Sequence, residues 1–292
     1  MRIVVAPDSF KGTLSAHAAA EAIRSGVAEV LPAAQIRSVP MADGGEGTGE
    51  VVWRARGGRW RACRVTGPLP EVRLDARWLS GFGSGAEDLV EMAAASGLTL
   101  LPPAARDPLR TTTLGTGQLL QAAADGRPTS IRLTVGGSAT VDGGVGAATA
   151  LGWRFLDARG REVPAGGGAL ARIRSVAPPG EKRWSPDAPV YRSVSGSIEA
   201  LPGITVLSDV DNPLLGPRGA AHVFGPQKGA GPSAVQALEA GLANLCERIA
   251  DGLGVRVADL PGGGAGGGMS GGAVAFLSAR IESGVDWVME QV

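Results

Sequence analysis

Apolar positions along the chain follow two rhythms, and the change between them marks its parts. Residues 2–6 (RIVVA) are a short β-branched run broken at Pro7, and an Ala-rich stretch over 15–30 follows with helical spacing. Strand, polar turn and helix make the opening of an α/β unit. Residues 36–40 predict a second strand, and a helix starts at Thr48 and carries Val51, Val52 and Trp53. From about 60 to 80 the pattern alternates, with Cys63 and Val65 before a Gly67-Pro68 turn and Val72, Leu74, Ala76 and Trp78 after it. That period of two predicts antiparallel strands and the start of a second, mixed domain.

Further along, residues 88–96 (DLVEMAAAS) predict a helix stopped by Gly97, and 118–124 a helix closed by Asp125-Gly126. Ile131, Leu133 and Val135 alternate as a strand, and 143–151 begins another helix. Residues 176–200 show no period and read as an exposed excursion. Residues 204–207 predict a strand, 233–250 a helix with one apolar stripe, and GGGAGGGMSGG (262–272) the opening of a final helix.

Composition narrows the classes of function. The 292 residues suggest about two domains, and 44% hydrophobic residues can fill their cores. Twenty-eight basic and 28 acidic residues cancel, and only 4% are aromatic, so neither nucleic acid nor an anionic membrane is an expected partner. The amino terminus lacks the features of a signal peptide and no apolar run is long enough to span a bilayer, which places the chain in the cytoplasm. Cys63 and Cys246, with His17 and His222, are too few for a zinc cluster or a disulfide framework.

The 46 glycines carry more information, because they cluster at strand-to-helix junctions. Those junctions lie at the carboxyl ends of strands, where α/β proteins bind ligands and helix starts offer unpaired N–H groups to anions. Glycine also merely shapes tight turns, but here each cluster brings a hydroxyl or a carboxylate with it. Asp8, Asp43, Glu46, Asp142, Asp209 and Asp211 all sit in these turns. Aspartate beside glycine ordinarily caps its own turn, whereas Glu46 is no turn specialist. Only three basic residues are lysine, and Lys11 and Lys228 stand in motif-like settings (DSFKG, FGPQKGAG) that suit a phosphate or carboxylate. Arg106 and Arg110 fit either a clamp for a substrate carboxylate or a plain surface. No Walker A loop or protein-kinase signature is present, and the match of 262–267 to GxGxxG is weak in a run that is nearly all glycine. The residues point to phosphoryl transfer ahead of hydride transfer.

Eight blocks then resemble, in order, the bacterial glycerate kinase type 1 family: APDSFKGTLSA (6–16), ADGGEGT (42–48), EMAAASGL (91–98), RDPLRTTTLGTG (106–117), GGSATVDGG (136–144), SDVDNPLLGPRGAA (208–221), FGPQKGA (224–230) and GGGAGGG (262–268). The resemblance implies ATP-dependent phosphorylation of D-glycerate, a small-molecule substrate, at its 2-hydroxyl with Mg2+. It implies two α/β domains, one flavodoxin-like and one mixed and similar to a restriction-endonuclease fold, with the active site in the cleft between them. Residues 1–60 would begin the flavodoxin-like domain, 61–284 form the mixed domain, and 285–292 start the return to the first. Family members usually continue with a TGEG-type segment, which this chain would lack, so an inactive member that at most binds ligand is the alternative.

On this resemblance Asp8, Lys11, Asp43, Asp142, Asp209 and Lys228 are the catalytic candidates, with Asp8 or Asp142 first as the base that orients the glycerate hydroxyl. ATP would lie against Gly44, Gly45, Glu46, Gly47, Gly136, Gly137, Ser138, Gly264, Gly266 and Gly267. Ser9, Arg106, Thr112 and Thr113 would bind substrate, and Asp142 and Asp209 would hold the metal. A homodimer is compatible with this reading.

Overall fold

The computed structural model describes residues 1–10, 13–180 and 185–292. In chain order the elements begin with β1 (Arg2–Val5), α1 (Ala16–Val30), β2 (Gln35–Ser38), α2 (Thr48–Arg56), β3 (Arg59–Thr66), β4 (Arg73–Phe82) and β5 (Glu87–Glu91). Then come α3 (Ala93–Ser96), α4 (Leu114–Asp125), β6 (Ser130–Thr134), α5 (Val145–Ala150), β7 (Arg154–Leu156), β8 (Ser175–Ala177), β9 (Val190–Arg192), β10 (Ile198–Ala200) and β11 (Gly203–Leu207). The chain closes with α6 (Ala220–Phe224), α7 (Pro232–Leu253), α8 (Ala265–Leu277), β12 (Arg280–Glu282) and α9 (Gly284–Gln291). The fold is α/β with a mixed sheet.

Six strands form the main sheet in the order β12-β11-β6-β5-β4-β3. The four strands β12, β11, β6 and β5 run parallel, and β4 and β3 add an antiparallel meander. Because side chains alternate across a strand, neighbouring apolar residues serve different cores. Trp78, Val90 and Val206 join the large core with residues of α4, α5, α7 and α8. Leu79, Leu89 and Leu207 point the other way, into a smaller core closed by Val51 and Val52 of α2 and Trp287 and Val288 of α9. Each such buried leucine contributes roughly 1.5–3 kcal/mol. Arg132 sits among Glu87, Glu282 and the Trp287 ring, which pairs the one charged residue of central strand β6. A separate two-stranded parallel sheet, β1-β2, carries α1.

Three expectations change. Residues 87–91 are a strand rather than the start of a helix, and the helix is confined to Ala93–Ser96. A short apolar run buried on both faces has no distinguishing period, so strand and helix look alike there. The 176–200 stretch holds a β9-β10 hairpin whose buried Tyr191 donates its hydroxyl to Asp125 at 2.7 Å. The helix opened by the 262–272 glycines is not the last, since β12 and α9 follow it. Residues 1–60 include α2, which packs on β4 and β5 of the main sheet. No helix among the described residues is long and apolar enough to cross a membrane.

Candidate active site

Parallel strands β6 and β11 end side by side, and the turns that leave them wall a cleft of about 390 Å³. Ligands collect beyond the carboxyl ends of such strands because the turns there are free of the ladder. The cleft brings together Asp43, Gly44, Gly45 and Glu46 from the turn before α2, and Gly136, Gly137 and Ser138 after β6. Asp209 after β11, Lys228 before α7 and Gly266 at the start of α8 complete the expected residues in its lining. The 43–46 and 135–137 turns meet through bare backbone: a Cβ on Gly136 would stand 2.7 Å from the Gly45 Cα.

Among the described residues, Lys228 is the cation of this lining. Only 2% of it is exposed, and its Nζ donates to Ser138 Oγ and to the Thr140 carbonyl, each at 2.7 Å. Burial pushes the ammonium down to about 7, a shift that the charge of Asp142 opposes. The same lining holds three carboxylates, Asp43, Glu46 and Asp209. Asp209 accepts from Ser283 Oγ at 2.8 Å and from the Val285 N–H, which fastens it to the first turn of α9. Asp43 Oδ1 accepts the Gly45 N–H at 2.9 Å.

Asp142 stands behind the wall, not in it. It is 1% exposed, and its oxygens accept from Thr113 N (2.8 Å), Thr113 Oγ1 (2.9 Å), Gly144 N (3.1 Å) and Gly146 N (3.2 Å). Burial raises its carboxyl pKa, against these hydrogen bonds that lower it. The side chain therefore clamps the starts of α4 and α5 together, with no approach for a metal or a substrate hydroxyl. Thr112 and Thr113 are buried with it and reach no ligand space. Gly264 and Gly267 lie against the backbone of Pro213 and Thr140, where a Cβ would collide with a carbonyl oxygen, so they serve packing.

Asp8, Ser9 and Gly47 line a second cavity of about 270 Å³, which shares Glu46 with the cleft. Arg106 lies outside both linings; its carbonyl backs Gly229 and its Nε is buried with no partner among the described residues. Arg110 is a surface partner of Glu71 at 2.6 Å. Lys11 lies outside the described residues.

Glu91, which opens the EMAAASGL block, has a role that the sequence did not single out. Standing at the carboxyl end of β5, it accepts the N–H groups of Gly47 (2.9 Å) and Gly49 (3.2 Å) and so caps α2. Burial raises its pKa, the backbone bonds oppose that rise, and nearby Glu46 adds to it. The helix start at 47–49 is consequently closed to an outside anion. The misread of 88–96 as helix concealed it, since a strand over 87–91 would have put this carboxylate at a ligand-facing end.

Comparison with known proteins then bears on the chemistry. The model of the glycerate kinase family matches residues 3–292. The chain is 45% identical over 291 residues to the glycerate 2-kinase of Escherichia coli (strain K12), covering 99% of this chain and 71% of that protein. It is 43% identical over 295 residues to the glycerate kinase of Bacillus subtilis (strain 168), with 100% and 72% covered. A crystal structure from Salmonella typhimurium LT2, named for glycerate kinase 2, superposes with a TM-score of 0.81 at 42% identity, over 100% of this chain and 74% of that one.

Proposed function

The chain belongs to the glycerate kinase family, and from that premise we propose that it transfers the γ-phosphoryl group of ATP to the 2-hydroxyl of D-glycerate. The observation that carries this reading is the chemistry of the cleft, whose lining combines a buried lysine with three carboxylates. Phosphoryl transfer needs positioning and charge stabilisation more than covalent help, and such a cleft supplies both. Asp43 takes the role of the base that accepts the glycerate hydroxyl proton, because Asp142 is engaged in holding α4 and α5. The 2-position is preferred by analogy with the Escherichia coli relative, a glycerate 2-kinase.

Mg2+ fits the donor set. It takes one or two carboxylates and completes its shell with water and phosphate oxygens, and no group of three candidate ligands is present among the described residues. Asp209 would hold it; when bound, it would neutralise charge on the phosphates. At Gly136, Gly137 and Gly266 the lining is backbone, which phosphate oxygens would approach directly.

A coupled ADP-release assay tests the reading. ADP should appear only with both ATP and D-glycerate, and 31P NMR should show 2-phosphoglycerate. No release above the ATP-only rate at millimolar D-glycerate would sink it.

A further inference from the structure

A lysine ammonium has three N–H donors, and a serine hydroxyl has one O–H donor and two acceptor lone pairs. Lys228 spends two donors, on Ser138 Oγ and the Thr140 carbonyl. Its third N–H reaches no described acceptor, although the side chain is almost wholly buried and forms part of the cleft lining. Ser138 is 6% exposed and accepts from Lys228, so its own hydroxyl hydrogen is directed away from the ammonium; it too is given to no described group. The Gly136 and Gly137 N–H groups beside it likewise donate to no described acceptor. Ser138, Gly136 and Gly137 thus add unspent donors beside Lys228, the one cation among the described residues of this lining. The same lining carries the acceptors Asp43, Glu46 and Asp209.

We propose that Ser138 and Lys228 form the subsite for the carboxylate of the acceptor substrate and so restrict the enzyme to hydroxy acids. The proposal rests on the glycerate kinase reading and adds the orientation of the substrate. A carboxylate is acceptor-only and carries one charge, which matches one ammonium and one hydroxyl. The hydroxyls of the same molecule then face the acidic wall, where Asp43 can take a proton.

Steady-state kinetics with each substrate varied separately test it. Ser138→Ala should raise the KM for D-glycerate ~10-fold or more, the scale of a lost hydrogen bond to a charged group, with the KM for ATP within about twofold. Ser138→Thr, which keeps the hydroxyl, should restore most of the loss. The ratio of kcat/KM for D-glycerate to that for its methyl ester should fall in Ser138→Ala and in Lys228→Met. A rise in the KM for ATP alone, or an unchanged acid-to-ester ratio, overturns the proposal. Lys228 is buried, so if Lys228→Met does not fold, the two serine variants decide the matter. Should the wild-type chain release no ADP, the kinase reading fails by itself. Calorimetric titration of D-glycerate into wild type and Ser138→Ala then decides the subsite: binding lost in the variant supports it, and equal binding or none in either overturns it.

Discussion

Two turns in this molecule share the sequence Asp-Gly-Gly, at 43–45 and 142–144, and the same first hydrogen bond. In each, the aspartate Oδ1 accepts the N–H two residues on, and a glycine with positive φ follows the aspartate (75° at Gly44, 61° at Gly143). Their surroundings separate them. Asp142 also accepts the N–H four residues on, from Gly146, and the two donors of Thr113, and it is buried. The corresponding N–H in the other turn, that of Gly47, goes to Glu91 instead. A carboxylate from a neighbouring strand has taken over the capping of α2, and Asp43 stands on the cleft wall. Turns of the same sequence thus become a clamp in one place and part of a candidate active site in the other, as their backbones diverge after the first glycine and different elements supply the cap.

Substitution should split the two. Asp142→Ala strands several buried donors, each costing about 1–3 kcal/mol when left unpaired, so unfolding in urea should show a loss of ~3 kcal/mol or more. Asp43→Asn should leave the urea midpoint nearly unchanged while lowering kcat/KM for D-glycerate ~100-fold, equivalent to about 2.7 kcal/mol of transition-state stabilisation. A destabilised Asp43 variant, or a fully stable Asp142 variant, would erase the distinction.

The buried charge beside Asp142 gives a pH test. Lys228 titrates near 7 when folded, against 10.5 as its ordinary value, so the native state binds fewer protons between those limits. Its contribution is present above 10.5 and is lost as pH falls through about 7. Stability measured in urea should therefore rise by ~1–3 kcal/mol from pH 7 to 9.5, and Lys228→Met should flatten that rise. Asp142 has the opposite sign: its raised carboxyl favours the fold below the ordinary value of 3.8 and loses that contribution as pH rises through the folded pKa. The smallest effect belongs to the borrowed cap. Glu91→Ala should cost about 1 kcal/mol of stability, as removal of other helix caps does, and circular dichroism should show the rest of the fold intact.

Much of this was legible along the chain, and the misses have a common cause. The strands at 2–5, 130–134 and 203–207 and the long helix at 232–253 were readable because each carries a clear period or sits between strong breakers. The strand at 87–91 lacked such a signal, and with it went Glu91. At the site, Asp43, Ser138, Asp209 and Lys228 were expected as chemical residues and they do line one cleft. Gly264, Gly267, Thr112 and Thr113 were expected on the same grounds, yet they serve packing or hold Asp142.

By itself the sequence determined the α/β class, the positions of the turns and the family, because apolar period, glycine placement and ordered motifs are local properties of the chain. It also determined which residue types were available for chemistry. Which aspartate reaches solvent and which is consumed by backbone amides was decided only by the tertiary structure. A carboxylate takes whichever donors lie within hydrogen-bond reach. Those donors come from strands and helices distant in sequence: Thr113 reaches Asp142 across 29 positions, and Gly47 reaches Glu91 across 44.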